Sequence, residues 1–90
     1  MLVSIVIANW NGRELLAGCL DALRHQTRPA DEVIVVDNAS TDDSVPFLNK
    51  HYPWVTTLTL PNNLGLAGGT NAGIARSRAD IIVTLNNDTI

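Results

Sequence analysis

The chain has a single cysteine, Cys19, in 90 residues. No intrachain disulfide can form, and a reduced, cytoplasmic setting is the expectation. Basic residues are scarce: six Lys and Arg stand against nine Asp and Glu, for a net charge of −3. That balance argues against general nucleic-acid or anionic-membrane binding. An acidic protein that takes a polyphosphate needs local help from a cation or from helix N-termini. Long apolar runs are also missing. Residues 2–8 are too few to span a bilayer, and the basic n-region of a signal peptide does not precede them. There is no internal repeat and no low-complexity linker. No Gly-Lys-Ser or Gly-Lys-Thr occurs, which excludes a P-loop. No His/Cys cluster suggests zinc, and no Ser–His or Cys–His pair suggests a nucleophile. His25 and His51 fall late in helical segments, where surface or helix-dipole roles suffice.

What is present is a globular composition. Hydrophobic residues make up 46% and charged residues 17%, enough for one domain and no sign of disorder. A chain this short buries roughly 60–65% of its unfolded surface, so the core is real but thin.

Apolar strands alternate with amphipathic segments. Residues 2–8 read as a buried strand, 9–12 as a turn, and 13–26 as a helix with Leu15, Leu16, Cys19, Leu20 and Leu23 on one face. Pro29 helps break it. Residues 32–36 are nearly all β-branched and read as a second buried strand. The polar loop 37–43 hands over to a second helix. Pro46 is tolerated only near a helix start, which puts the N-cap at Asp42 or Asp43 and the end near Tyr52. Residues 54–60 are a more polar strand suited to a sheet edge. A turn at 61–65, a small-residue helix at 67–77 and a fourth strand at 81–85 complete the pattern. Strand–helix alternation of this kind implies parallel βαβ units with right-handed crossovers.

The polar residues gather after strands. In parallel α/β proteins, ligand chemistry sits at the carboxyl ends of strands. Four loops rich in Asn, Asp and Gly are expected to converge there: 9–12, 37–43, 62–69 and 86–88. Each residue type is also a good turn former. Asp37, directly after a strand, suits hydrogen bonds from a ribose or base, or an Asx-turn. Trp10 suits stacking on a base, or plugging the sheet end. Glycines 65, 68, 69 and 73 resemble a phosphate loop of no familiar kind; they let a helix start close to a ligand or pack closely on a sheet. Asn71 is the polar residue expected to project from that start. Asn86-Asn87-Asp88 after an apolar strand offers one carboxylate between amides, suited to a hard divalent cation that also touches phosphate. The sequence ends on this ligand, so a half-site is the expectation.

Four segments in order and at matching spacing carry a resemblance. They are Val3-Ser4-Ile5-Val6-Ile7-Ala8-Asn9-Trp10-Asn11-Gly12, Val35-Val36-Asp37-Asn38-Ala39-Ser40-Thr41-Asp42, Asn63-Leu64-Gly65-Leu66-Ala67-Gly68-Gly69-Thr70-Asn71-Ala72-Gly73-Ile74 and Leu85-Asn86-Asn87-Asp88-Thr89. The chain resembles the nucleotide-binding half of a family 2 inverting glycosyltransferase of the GT-A fold, rhamnosyltransferase-like branch. The resemblance implies an α/β, three-layer parallel sheet with Rossmann-like βαβ units and strand order 3-2-1-4. It implies that residues 1–90 are the N-terminal nucleotide-sugar-binding part of a longer domain, cut after a DxD-like motif. It implies a nucleotide site of Ala8, Asn9, Trp10, Asn11, Asp37, Asn38, Gly69, Asn71, Asn86 and Asn87. Asp88 would contact Mg2+ or Mn2+. Asn86 departs from the motif, where an Asp is usual, and leaves one anionic ligand.

The implied activity is transfer from a nucleotide-diphosphate sugar to a saccharide or lipid-linked acceptor by the parent protein, in the cytoplasm or at the inner face of its membrane. The general base and acceptor half lie beyond this sequence in the family, so the chain alone is expected to be inactive, with no catalytic residue of its own. The alternative is a stand-alone nucleotide-binding or interaction module with a degenerate site. A receiver-type domain would need an acidic cluster after the first strand, which Asn9-Trp10-Asn11 does not provide. With strand four as an apolar edge, self-association is expected.

Overall fold

The computed structural model describes residues 1–25 and 30–86. The expectations for Gln26, Asn87 and Asp88 therefore lie outside the described residues. The element order is β1 (Val3–Asn9), α1 (Arg13–Arg24), β2 (Glu32–Asp37), α2 (Ser44–His51), β3 (Thr56–Thr59), α3 (Gly65–Arg76) and β4 (Ile81–Asn86). The strands form one parallel sheet of order β3-β2-β1-β4, as the resemblance implied.

The register explains the layers. Parallel neighbours in register share faces, and successive residues alternate. Ile5 and Ile7 of β1 with Val33 and Val35 of β2 face α1 and α2, packing on Leu16, Leu20, Leu23, Leu48 and Tyr52. Val6, Ile34 and Val36 face the other way, toward Ala72 of α3. Both faces of the central strands are covered, which is why their sequences are continuous apolar runs. At the amino ends, the Asp31 carboxylate accepts from the Val3 N–H at 2.8 Å and the Asp80 carboxylate from the Leu2 N–H at 2.9 Å. These clips fix where β1 begins. No helix among the described residues is long and apolar enough to cross a membrane.

Several boundaries differ from the sequence reading for identifiable reasons. Leu15 is 45% exposed. Leu16, Leu20 and Leu23 already make the stripe that the sheet can accept, and Leu15 falls beside it. Asn9 and Asp37 are not loop residues but the last paired residues of their strands, directly opposite each other. α3 starts at Gly65, ahead of the expected start at residue 67, and Gly65 there takes a φ of +76° that other residues avoid. β4 lies at the sheet edge, as expected of an apolar edge strand, and leaves Ile81 and Val83 at 43% and 42% exposure. β1 is its only strand neighbour among the described residues.

Candidate functional site at the carboxyl edge of the sheet

Strand ends build the centre of the site. Asn9 and Asp37 are paired across β1 and β2 and are 1% and 3% exposed. A buried carboxylate must be satisfied by donors. Asp37 Oδ1 accepts from Asn9 Nδ2 at 3.0 Å and from Ser40 Oγ at 2.6 Å, and Oδ2 accepts from the Ser40 N–H at 3.0 Å. A carboxylate has about four acceptor positions, so these donors use most of its capacity and orient it. Of the two expected readings of Asp37, the structure shows the Asx-turn, which closes onto Ser40 at the strand end.

Ser40 is the hub that the sequence reading missed. Its hydroxyl donates to Asp37 and accepts from the Asn11 N–H at 2.9 Å, with Asn9 Nδ2 at 3.4 Å. Asn11, with φ 48°, occupies the left-handed region that Asn tolerates best among residues with a side chain. Its Oδ1 accepts from the N–H groups of Thr41 at 2.7 Å and Asp42 at 3.1 Å, and its Nδ2 donates to Thr41 Oγ1 at 3.2 Å. The Asn11 side chain is therefore committed to stapling the β1–α1 loop onto the β2–α2 loop. Ala39, at φ 59°, is held in a conformation costly for alanine by the same contacts on either side. The signal for Ser40 and Thr41 was their place right after Asp37-Asn38-Ala39, where a hydroxyl can close a local turn.

Asn38 faces the opposite way. It is 3% exposed, its Oδ1 accepts from the Leu64 N–H at 3.2 Å, and its Nδ2 donates to the Gly65 carbonyl at 3.0 Å. Gly69 lies against the same amide: a β-carbon there would sit 2.5 Å from Asn38 Nδ2. The absence of a side chain at Gly69 is accounted for by this approach. Gly73, one turn on, meets the sheet in the same way.

The remaining expected site residues divide. Trp10 is 56% exposed beside this cluster, a flat apolar surface open to a ligand. Ala8 is buried within β1 and pairs with Asn86 of β4. That register sets the start of the Asn-Asn-Asp triplet one position before Asn9 along the sheet edge. Asn71 does not join the cluster. It is exposed on α3, about 200° around the helix from Gly69, which faces the Asn38 amide, and from Gly73, which faces Val6 and Val36 of the sheet.

Charge at this edge is managed by the α2 start. Burial pushes the Asp42 carboxyl up, but hydrogen bonds from the Ser44 side chain and backbone and from the Arg13 backbone, with the Arg13 charge, outweigh it. The net effect holds Asp42 below its ordinary value. The backbone N-cap is Asp43, yet the side chain that receives the Ser44 N–H, at 3.0 Å, is that of Asp42. Asp43 instead meets Arg13 at 3.5 Å, an exposed pair of small energetic weight. The Arg13 guanidinium also lies over Phe47, 4.6 Å from the ring centre.

Away from this edge little suggests chemistry. Among the described residues no group of His, Cys, Asp and Glu forms a metal cluster. Burial pushes the Cys19 thiol up, which keeps it unreactive. A cavity of about 530 Å³ lies at the amino end of the sheet, lined by Leu23, Arg24, Val33, Trp54 and Thr56 among others. It is at the far end from the polar network, and the chemistry favours the network over the volume.

Comparison with known proteins agrees with the fold. Residues 4–90 match the family described as Glycosyl transferase family 2. The chain is 36% identical over 94 residues to a poly(ribitol-phosphate) beta-glucosyltransferase of Bacillus spizizenii, covering 98% of this chain and 15% of that protein. It is 32% identical over 92 residues to the O-antigen chain rhamnosyltransferase RfbN of Salmonella typhimurium, covering 100% of this chain and 29% of that protein. Among solved structures, the mannosyltransferase PcManGT from Pyrobaculum calidifontis, in complex with GDP-Man and Mn2+, superposes with a TM-score of 0.81 at 26% identity, covering 96% of this chain and 27% of that one. S. aureus TarS 1-349 in complex with UDP superposes with a TM-score of 0.87 at 22% identity, covering 98% and 28%. The chain spans less than a third of the length of each of these proteins.

Proposed function

The chain belongs to glycosyl transferase family 2, and from that premise we propose that its carboxyl edge holds the nucleoside diphosphate of a sugar donor, forming the leaving-group side of a glycosyl transfer. The observation that carries the reading is the buried Asn9–Asp37–Ser40 network, locked by Asn11, beside the exposed ring of Trp10. Such a network is preorganised: its donors are already spent on orienting the Asp37 carboxylate. In this reading Trp10 stacks on the base, and Asp37 accepts from a base N–H or a ribose hydroxyl. Asn86 and Asn87 approach the diphosphate, and Asp88 contacts a Mg2+ or Mn2+ ion.

The donor set fits such an ion. Asn86, Asn87 and Asp88 offer oxygen ligands only, which suits a hard cation, and the pairing of Asn86 with Ala8 starts the triplet at the same edge as Asp37. With one carboxylate, most of the opposing charge must come from the diphosphate itself. When bound, the cation supplies positive charge against the leaving diphosphate. The mannosyltransferase structure with GDP-Man and Mn2+ supports this assignment. The acceptor, a saccharide or a lipid-linked one, and the base that deprotonates it are assigned to parts of the parent protein outside these residues.

Calorimetry tests the reading with UDP and GDP, each with and without Mn2+. Affinity nearer millimolar than micromolar is expected, on the order of −4 to −6 kcal/mol. Asp37→Ala should weaken binding in both conditions, and Asp88→Ala should remove only the metal-dependent part. Equal binding by wild type and both variants would overturn the site.

A further inference from the structure

Asp37 and Asn38 are adjacent, and their side chains grip opposite sides of the sheet edge. Asp37 ends β2 and holds the Asn9 and Ser40 side chains. Asn38 turns to the α3 side and holds the Leu64 N–H and the Gly65 carbonyl. The backbone between them is fixed as well: the Asp37 carbonyl accepts from the Leu60 N–H at 2.9 Å, and the Asn38 N–H donates to the Asn9 carbonyl at 2.8 Å. The next residue, Ala39, is in the left-handed region at φ 59°. A backbone so bent needs constraint on both sides to persist. Ser40 and Asn11 supply it on one side. On the other, Asn38 is the residue whose side chain ties the same segment to the start of α3.

We propose that Asn38 is a positioning residue for Asp37: its amide does not bind the nucleotide but holds the 37–39 backbone in the orientation that presents the Asp37 carboxylate, and couples that orientation to the seat of α3. The inference rests on the assignment of Asp37 to nucleotide binding. Two observations favour an indirect role over direct contact. The amide is 3% exposed and engaged through both its oxygen and its nitrogen. Gly69 closes over it, with no room for a β-carbon. The group is shaped for donor and acceptor together. An Asp in its place would still accept from Leu64 but would set a second oxygen against the Gly65 carbonyl.

The test is an NMR titration of the full chain with UDP, and with GDP in parallel, for wild type, Asn38→Asp, Gly69→Ala and Asp37→Ala, and for Asn38→Asp combined with Asp37→Ala. Gly69→Ala strains the same amide from the helix side, so the test survives if Asn38→Asp does not fold. Asn38→Asp and Gly69→Ala are each expected to weaken nucleotide affinity about tenfold while the folded spectrum is retained. On the Asp37→Ala background, Asn38→Asp should weaken it no further, since the residue acts through Asp37. Unchanged affinity, with only the Leu64 and Gly65 signals displaced, would reduce Asn38 to a packing residue. An equal loss with and without Asp37 would make it a direct ligand. Both outcomes overturn the proposal while leaving the nucleotide site standing. A wild type that binds neither nucleotide overturns the site assignment, and the proposal with it.

Discussion

Gly73→Ala perturbs the contact on which the seat of α3 depends. A β-carbon at Gly73 would come 2.3 Å from Val6 Cγ1 and 2.8 Å from Val36 Cγ2. Those valines are 1% and 0% exposed, at the centre of the two middle strands. Valine is stiff about χ1, so neither can swing aside cheaply, and the helix has to lift. Overpacking of this kind costs about 1–3 kcal/mol, and the deep overlap puts it at the upper end. Alanine returns about 1 kcal/mol of helix propensity, leaving a net loss of about 2 kcal/mol. A domain of this size has roughly 5–13 kcal/mol in total, so the loss is a large fraction. It corresponds to a melting temperature lower by roughly 8–16 °C. Urea unfolding followed by far-UV circular dichroism reads it directly, as a lower midpoint at unchanged slope. Gly18→Ala is the control. It lies on the exposed side of α1 with nothing within 4 Å of the added carbon. That variant should gain about 0.5–1 kcal/mol. If Gly73→Ala proved as stable as wild type, α3 would not sit on Val6 and Val36 as described.

Other outcomes are expected at single residues. Asp37→Ala strips the acceptor from buried Asn9 and Ser40 donors and should cost about 1–3 kcal/mol in urea unfolding, apart from its effect on nucleotide binding. Tyr52→Phe loses the 2.8 Å bond to Asp21 and should cost about 1 kcal/mol by the same assay. The folded-state pKa of Asp42 is depressed, so its contribution is complete above the ordinary carboxylate value and is lost as pH falls through the folded value. The stability gap between wild type and Asp42→Asn should therefore be present at neutral pH and close below pH ~4; a gap that widens on acidification would contradict the capping role. Exposed Ile81 and Val83 on β4 make self-association the expectation for the isolated chain, with Val83→Lys shifting it toward monomer or unfolding it. Sedimentation of wild type as a stable monomer at high micromolar concentration would refute that.

The sheet was legible because its signal is local. β-branched runs marked β1 and β2, a threonine-rich run marked the edge strand β3, and prolines marked the ends of α2. Less visible were features made by pairing across the chain. Asn9 and Asp37 look like loop residues because they are polar, yet each is satisfied by the other across the strands. The glycines of α3 fit either a phosphate loop or close packing on the sheet, two readings that composition alone does not separate. Gly69 and Gly73 are explained by what they touch, Asn38 on one turn and Val6 with Val36 on the next. Asn71, expected to project from the start of α3, is exposed there and makes no contact with the Asn9–Asp37–Ser40 network. Asp37 and Trp10 could be picked out by their place after strands. The hydroxyl of Ser40 and the split roles of Asn11 and Asn38 depend on side-chain geometry that no periodicity encodes.

The nucleotide site itself is tested most directly by mapping it. With isotopically labelled chain and Mg2+ present, UDP or GDP should shift the backbone amides of residues 9–12 and 37–43, the Trp10 indole and the Asn86 amide. Replacing Mg2+ by paramagnetic Mn2+ should then broaden the signals nearest Asn86 in a nucleotide-dependent way. Shifts confined to Leu23, Trp54 and Thr56 around the cavity at the amino end of the sheet, or no shift with either nucleotide, would contradict a nucleoside-diphosphate site at the carboxyl edge.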